Sequence, residues 1–133
     1  MIFARGIPLL FVKNFPEKCD FSKLLYCNFE IKRVYYITDT QRDVVRGHHA
    51  HKNLKQVLIC VHGSCRIGLD DGTEKTEVLL DKINEGLYIE SNMWRTMYDF
   101  SEGAVLLVLA SELYDEADYI RNYDKFIEYV KGV

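Results

Sequence analysis

Short β-like runs, cut by turn signals at roughly eight- to twelve-residue intervals, are what most restricts how this chain can fold. The runs "IKRVYYI" (31–37), "LKQVLICVH" (54–62), "CRIGL" (65–69), "KTEVLLD" (75–81), "LYIES" (87–91), "WRTMYDF" (94–100) and "AVLLVLA" (104–110) are rich in β-branched and aromatic side chains. Between them stand "TDTQRD" (38–43), "GS" (63–64), "DDG" (70–72), "NEG" (84–86) and "SEG" (101–103), all turn chemistry. Such spacing predicts an antiparallel sandwich or barrel. The end of the chain changes period: "NYDKFIEYVKGV" sets Tyr123, Phe126, Ile127 and Val130 on one helical face, with Asn122 as its cap and Asp124 in its first turn. The expected fold is an all-β barrel or jelly roll with a short C-terminal α-helix. The apolar start, "MIFARGIPLLFV", adds one or two strands ahead of the barrel.

With 133 residues the chain suits a single compact domain over 1–133, large enough to bury roughly two thirds of its unfolded surface without a covalent staple. Cys19, Cys27, Cys60 and Cys65 form no CxxC pair, which fits a reduced, cytoplasmic protein, and Cys60 sits in an apolar run as a small core residue. A net charge of -3 gives no electrostatic footprint for nucleic acid. The apolar runs are too short to cross a bilayer, and no small-residue cleavage site follows the N-terminal stretch, so neither a membrane span nor a signal peptide is expected.

"RGHHAHK" (46–52) holds three of the four histidines. On a strand, residues two apart share a face, so His49 and His51 point one way while His48 and Ala50 point the other. On the inner face of a jelly roll this puts two imidazoles in one cavity; an exposed polar strand end would carry the same pattern. The spacing also matches the first element of metal-binding cupins, G-x5-H-x-H-x3,4-E, opened here by Gly47. The Glu position falls near Gln56, a poor ligand for a divalent cation, and the third-His position in "IESNMWR" holds Arg95, which cannot ligate. A cupin cavity without a metal is the expectation. Two imidazoles without a metal suit general acid–base chemistry, and Arg33, Arg46 and Arg95 are candidate fixed cations for an anionic substrate. His62, at the end of an apolar strand, carries no assigned role.

The segments "VYYITDTQRDVVRGHHAHKNLKQVLICVHGSCRIGLDDG" and "GLYIESNMWRTMYDFSEGAVLLVLASELYDEADYIRNYDKF" together resemble the sugar 3,4-ketoisomerases of the cupin superfamily, the FdtA/QdtA-like enzymes grouped with WxcM-like proteins. The likeness spans about residues 30–127. It implies a cupin double-stranded β-helix, a homodimer, no metal and no cofactor. The implied reaction converts dTDP-4-keto-6-deoxy-D-glucose to a dTDP-3-keto-6-deoxyhexose, on the way to 3-amino sugars of surface polysaccharide such as lipopolysaccharide or S-layer glycan. His49 and His51 match the paired histidines and inherit the catalytic role; His48 fills a variable position. Substrate-binding candidates are Arg33, Tyr35, Arg46, Gln56, Arg95 and Tyr98. Two alternatives are a dTDP-sugar 3,5-epimerase, whose separated His and Asp are not evident in the sequence, and a sugar-nucleotide-binding cupin without turnover, which the paired histidines disfavour. The stereochemistry of the product at C4 is left open.

Overall fold

The computed structural model describes residues 29–132 and the backbone of two earlier strands. The strands are β1 (Leu9–Val12), β2 (Pro16–Lys18), β3 (Arg33–Ile37), β4 (Arg46–His51), β5 (Gln56–His62), β6 (Cys65–Asp70), β7 (Lys75–Leu80), β8 (Gly86–Ile89), β9 (Trp94–Tyr98), β10 (Val105–Ala110) and β11 (Tyr119–Ile120), followed by helix α1 (Tyr123–Lys131). They form two sheets, one in the order β2-β1-β8-β5-β10-β3 and one in the order β11-β4-β9-β6-β7. All pairings are antiparallel except β1 with β8. This is the expected β-sandwich of the jelly-roll type with a C-terminal helix. Of the apolar N-terminal stretch, only Leu9–Val12 is described, as β1; Cys19 and Cys27 lie outside the described residues.

Alternation along the strands fills the space between the sheets. Leu58 and Cys60 of β5 meet Ile67 and Leu69 of β6, Val78 and Leu80 of β7, Met97 of β9, and Leu106 and Val108 of β10 in one buried core. Each of these pairs sits two positions apart, as period-2 alternation demands. Cys60 and Cys65 are free thiols within that core. Most of the observed strands are shorter than the apolar runs, although β6 extends one residue further, to Asp70. Gln56 rather than Leu54 opens β5, and β9 stops at Tyr98 because Asp99 adopts a left-handed φ of 53°. β11 has only two residues and carries no period long enough to predict.

Helix α1 follows its expected boundaries. The Asn122 side chain accepts from the Lys125 amide at 3.0 Å, Asp124 lies in the first turn, and Gly132 closes the helix in the left-handed conformation. Phe126 is buried against Ala50, Trp94 and Ile120, with Ile127 and Val130 beside it. Burial of an aromatic of this size contributes roughly 1.5–3 kcal/mol. The contact also braces the back of β4, the strand that carries the histidines.

Candidate active site

β4 does not alternate evenly. Arg46 pairs with Met97 and Gly47 with Thr96, but His49 pairs with Arg95, so His48 is an extra residue. This is a β-bulge. Gly47 has φ +94° and His48 φ +50°. A Cβ on Gly47 would lie 2.9 Å from the Arg95 carbonyl oxygen and 3.2 Å from Thr96 Cα. Only glycine fits there. Past the bulge, His49 and His51 turn inward and are buried, while Ala50 packs outward under α1 and His48 is exposed.

The two imidazoles meet edge to face, with ring centroids 4.8 Å apart. His49 Nδ1 lies 3.0 Å from the Gly47 carbonyl oxygen, and His51 Nδ1 lies 3.1 Å from Asp118 Oδ2. Both partners can only accept, so in each neutral ring Nδ1 carries the hydrogen and Nε2 is bare. His51 Nε2 is buried with no hydrogen-bond partner among the described residues. Burial first, then Arg95, pushes His49 down to about 4. The same two causes, with His49 third, hold His51 far below its ordinary value, and the Asp118 carboxylate acts in the opposite sense. Both rings are therefore neutral bases at pH 7.

Beside them, Arg95 is wholly buried. It donates through Nη1 to the Gln56 side-chain oxygen and through Nη2 to the Met93 carbonyl at 2.9 Å, leaving Nε without a partner among the described residues. Desolvation lowers Arg95 to about 10, so it stays charged at neutral pH. Gln56 in turn donates to the Tyr35 hydroxyl at 3.1 Å, and burial raises Tyr35 above its usual value. Arg33 sits over the Tyr35 ring at 4.9 Å, with buried Nε and Nη2 lacking partners among the described residues. These groups make a buried cluster of two bases, two guanidiniums and a phenol, a set with the chemistry to bind an anion and move protons beside it.

Six of the eight candidate residues, His49, His51, Arg33, Tyr35, Gln56 and Arg95, thus fall in one cluster. Two do not. Arg46 stands before the bulge with an exposed side chain. Tyr98 is three positions from Arg95, and an odd spacing on a strand puts two side chains on opposite faces. Its hydroxyl donates to Glu77, and it lines a concave surface of about 650 Å³ on the outside of the sheet together with His48, Trp94 and Thr96. His62 lies away from the cluster, its ring 2.9 Å from the Gly103 carbonyl oxygen.

The sequence reading missed Asp118 and Tyr119. The Tyr119 ring packs on both imidazoles, at 5.0 Å from His49 and 4.3 Å from His51, and Arg121 covers it at 4.1 Å. Both residues belong to the quoted stretch "YDEADYIR", yet nothing local marks them. β11 brings them to β4 across 67 positions of chain. No group of three or more His, Cys, Asp or Glu side chains converges among the described residues. None of the described helices is long and apolar enough to cross a membrane.

The family model "FdtA: WxcM-like, C-terminal" matches residues 18–131. The curated TDP-4-oxo-6-deoxy-α-D-glucose-3,4-oxoisomerase of Aneurinibacillus thermoaerophilus is 55% identical over 105 residues, 79% of this chain and 76% of the relative. Among solved structures, QdtA, a sugar 3,4-ketoisomerase from Thermoanaerobacterium thermosaccharolyticum in complex with TDP, superposes with a TM-score of 0.78 at 55% identity, covering 80% of this chain and 77% of QdtA. The WlaRB TDP-quinovose 3,4-ketoisomerase from Campylobacter jejuni gives a TM-score of 0.73 at 60% identity, covering 75% and 77% of the two chains.

Proposed function

The chain belongs to the FdtA family of WxcM-like proteins, and from that premise we propose that it is a 3,4-ketoisomerase acting on TDP-4-keto-6-deoxyglucose, with His49 and His51 as its proton-transfer groups. The observation that carries the reading is the pair of neutral imidazoles beside a buried Arg95 that, among the described residues, no carboxylate hydrogen-bonds.

The C4 ketone acidifies the hydrogen on C3. His51 Nε2 takes that proton; the C–H electron pair becomes the C3=C4 bond, and the C4 carbonyl oxygen gains the negative charge. Arg95 provides a fixed cation for this enediolate in a site where water does not screen it. His49 accepts the O3 proton and returns one to O4, and C3 becomes the ketone as its electron pair shifts back. The C4 carbon then takes the proton held by the His51 imidazolium, which leaves both rings neutral again. The hydrogen lost at C3 is regained at C4, so the sum is an isomerisation and neither a redox cofactor nor a metal enters the steps. Each general acid or base contributes on the order of 10²–10⁴-fold. The diphosphate is a dianionic ligand, and Arg33, with two donors that lack partners among the described residues, is its candidate partner.

The chain works as one domain, as a cytoplasmic homodimer, and its product is aminated on the way to a surface glycan. His51 with Asp118 is a separated His–Asp pair of the kind expected of a 3,5-epimerase, so this pair does not discriminate between the two reactions. The epimerase is disfavoured instead by ketoisomerase relatives at 55% and 60% identity. The test is NMR of purified protein with TDP-4-keto-6-deoxyglucose: a 3-keto-6-deoxyhexose is expected. Inversion at C5, or no change, overturns the reading.

A further inference from the structure

We infer that Asp118 is a positioning residue, holding His51 in the one tautomer and orientation that can take the C3 proton. The inference rests on the functional reading above, and it concerns a residue that acts through His51.

A neutral imidazole has one bare nitrogen, and a base in this pocket needs that nitrogen on the cavity side. Asp118 Oδ2 lies 3.1 Å from His51 Nδ1 and can only accept, so it draws the ring hydrogen to Nδ1. Nε2 is left bare, buried and without a partner among the described residues. Asp118 is itself held in place. Its Oδ1 accepts from the Asn53 amide at 2.8 Å, its Oδ2 from the Leu54 amide at 3.2 Å, and its own carbonyl from the Lys52 amide at 3.0 Å. All three donors lie in the turn directly after His51. The carboxylate therefore locks the ring to the end of the strand that carries it.

Charge gives a second role. When His51 takes the C3 proton it becomes a cation among cations. Arg95 from β9, Arg33 from β3 and Arg121 beyond β11 all oppose it, while the Tyr119 ring packs over it. Asp118 is the anion in direct contact, with a side chain only 10% exposed. It offsets part of the penalty at the moment the proton arrives, as a carboxylate behind a catalytic histidine does.

The test uses Asp118→Asn and Asp118→Glu in the full chain. In Asp118→Asn one carboxylate oxygen becomes an amide nitrogen, so either the Asn53 amide, or the Leu54 amide together with His51 Nδ1, loses its acceptor, and the charge is gone. Turnover of TDP-4-keto-6-deoxyglucose should fall about 10–100-fold, the loss typical when the group that orients a functional histidine is removed. KM and the affinity for TDP by calorimetry should stay near wild type, and Asp118→Glu should recover part of the rate. Nitrogen-15 NMR of histidine-labelled wild type at pH 7 should show His51 protonated at Nδ1 and bare at Nε2, and a mixed signal in Asp118→Asn. The inference is overturned by a wild-type His51 that carries its hydrogen on Nε2, by wild-type turnover in Asp118→Asn, or by a loss confined to KM. Should Asp118→Asn fail to fold, the wild-type tautomer decides alone. Should wild type leave the sugar unchanged, the functional reading fails, and the tautomer still decides the positioning.

Discussion

Arg95 carries its charge inside the barrel, bonded to an amide and a carbonyl rather than to a carboxylate. A buried cation of this kind is costly unless an anion arrives. It also keeps the neighbouring imidazoles neutral, so base strength at the site is set by burial and by Arg95 together. Two outcomes follow for single residues. First, His51→Asn should abolish exchange of the C3 hydrogen with D₂O, because that step needs only the base. His49→Asn should spare part of the exchange yet block formation of the 3-keto product. Each loss should be about 10²-fold or more. His48→Asn should do little, since His48 lies outside the pocket and Asn tolerates its left-handed φ. Near-normal exchange and turnover in both inner-face variants would reduce the pair to cavity lining. Second, kcat/KM should show no histidine limb near 6.5. With His49 held at about 4, the basic form persists as pH falls, and the acid limb should appear close to that value. Stability has a different window. Below 6.5 the unfolded chain takes up protons that the folded histidines refuse, so the melting temperature should fall as pH drops from 6.5 toward 4. A kinetic limb between about 6 and 7 in the free enzyme would contradict the burial of these rings.

At the scale of the element, the bulge in β4 decides which way the histidines face. A one-residue slip turns every later side chain to the other face, so Gly47 and His48 set the inward orientation of both rings. Gly47→Ala puts a methyl 2.9 Å from the Arg95 carbonyl oxygen at φ +94°. The expected cost is on the order of 1–3 kcal/mol, read by chemical denaturation, with activity lost before folding as His49 shifts against Arg95. A variant with unchanged stability and rate would show that the bulge does not fix the site. This element also marks how far the sequence could be read. Period-2 runs and turn residues are local signals, so the strands, the helix cap at Asn122 and the shared face of His49 and His51 were legible. Arg33, Tyr35, Gln56 and Arg95 were found by spacing and resemblance. Tyr98 stands on the opposite face from Arg95, as its odd distance along the strand requires. The bulge itself was not visible, because an extra residue leaves no period to count. Asp118 was out of reach for a different reason: its bond to His51 depends on a two-residue strand formed far along the chain.

At the scale of the whole molecule, strands β8, β5 and β10 of the six-stranded sheet are apolar on both faces. Its inner face lines the core, and on its outer face Val57, Ile59, Tyr88 and Leu109 are buried with Phe29, Ile31, Val61 and Leu107 packed against them. The same outer surface continues onto the edge strand β3, where Val34 is 53% and Tyr36 64% exposed. A sheet with one solvated face normally alternates apolar with polar, and this one does not. An apolar edge strand left open also invites pairing. A second copy of the chain is the cover proposed here, extending the same apolar face across an interface. Light scattering at micromolar concentration should give about twice the 15.6 kDa chain mass. Tyr36→Lys places a charge on the exposed outer face, away from the inward-facing Arg33 and Tyr35, and should weaken the association at least tenfold, about 1.4 kcal/mol. Its folded monomer should retain the near-ultraviolet signature of the packed core. A wild-type monomer at these concentrations removes the proposed cover. A Tyr36→Lys protein that associates as tightly as wild type moves the interface off β3, to the opposite edge of the sheet at β2.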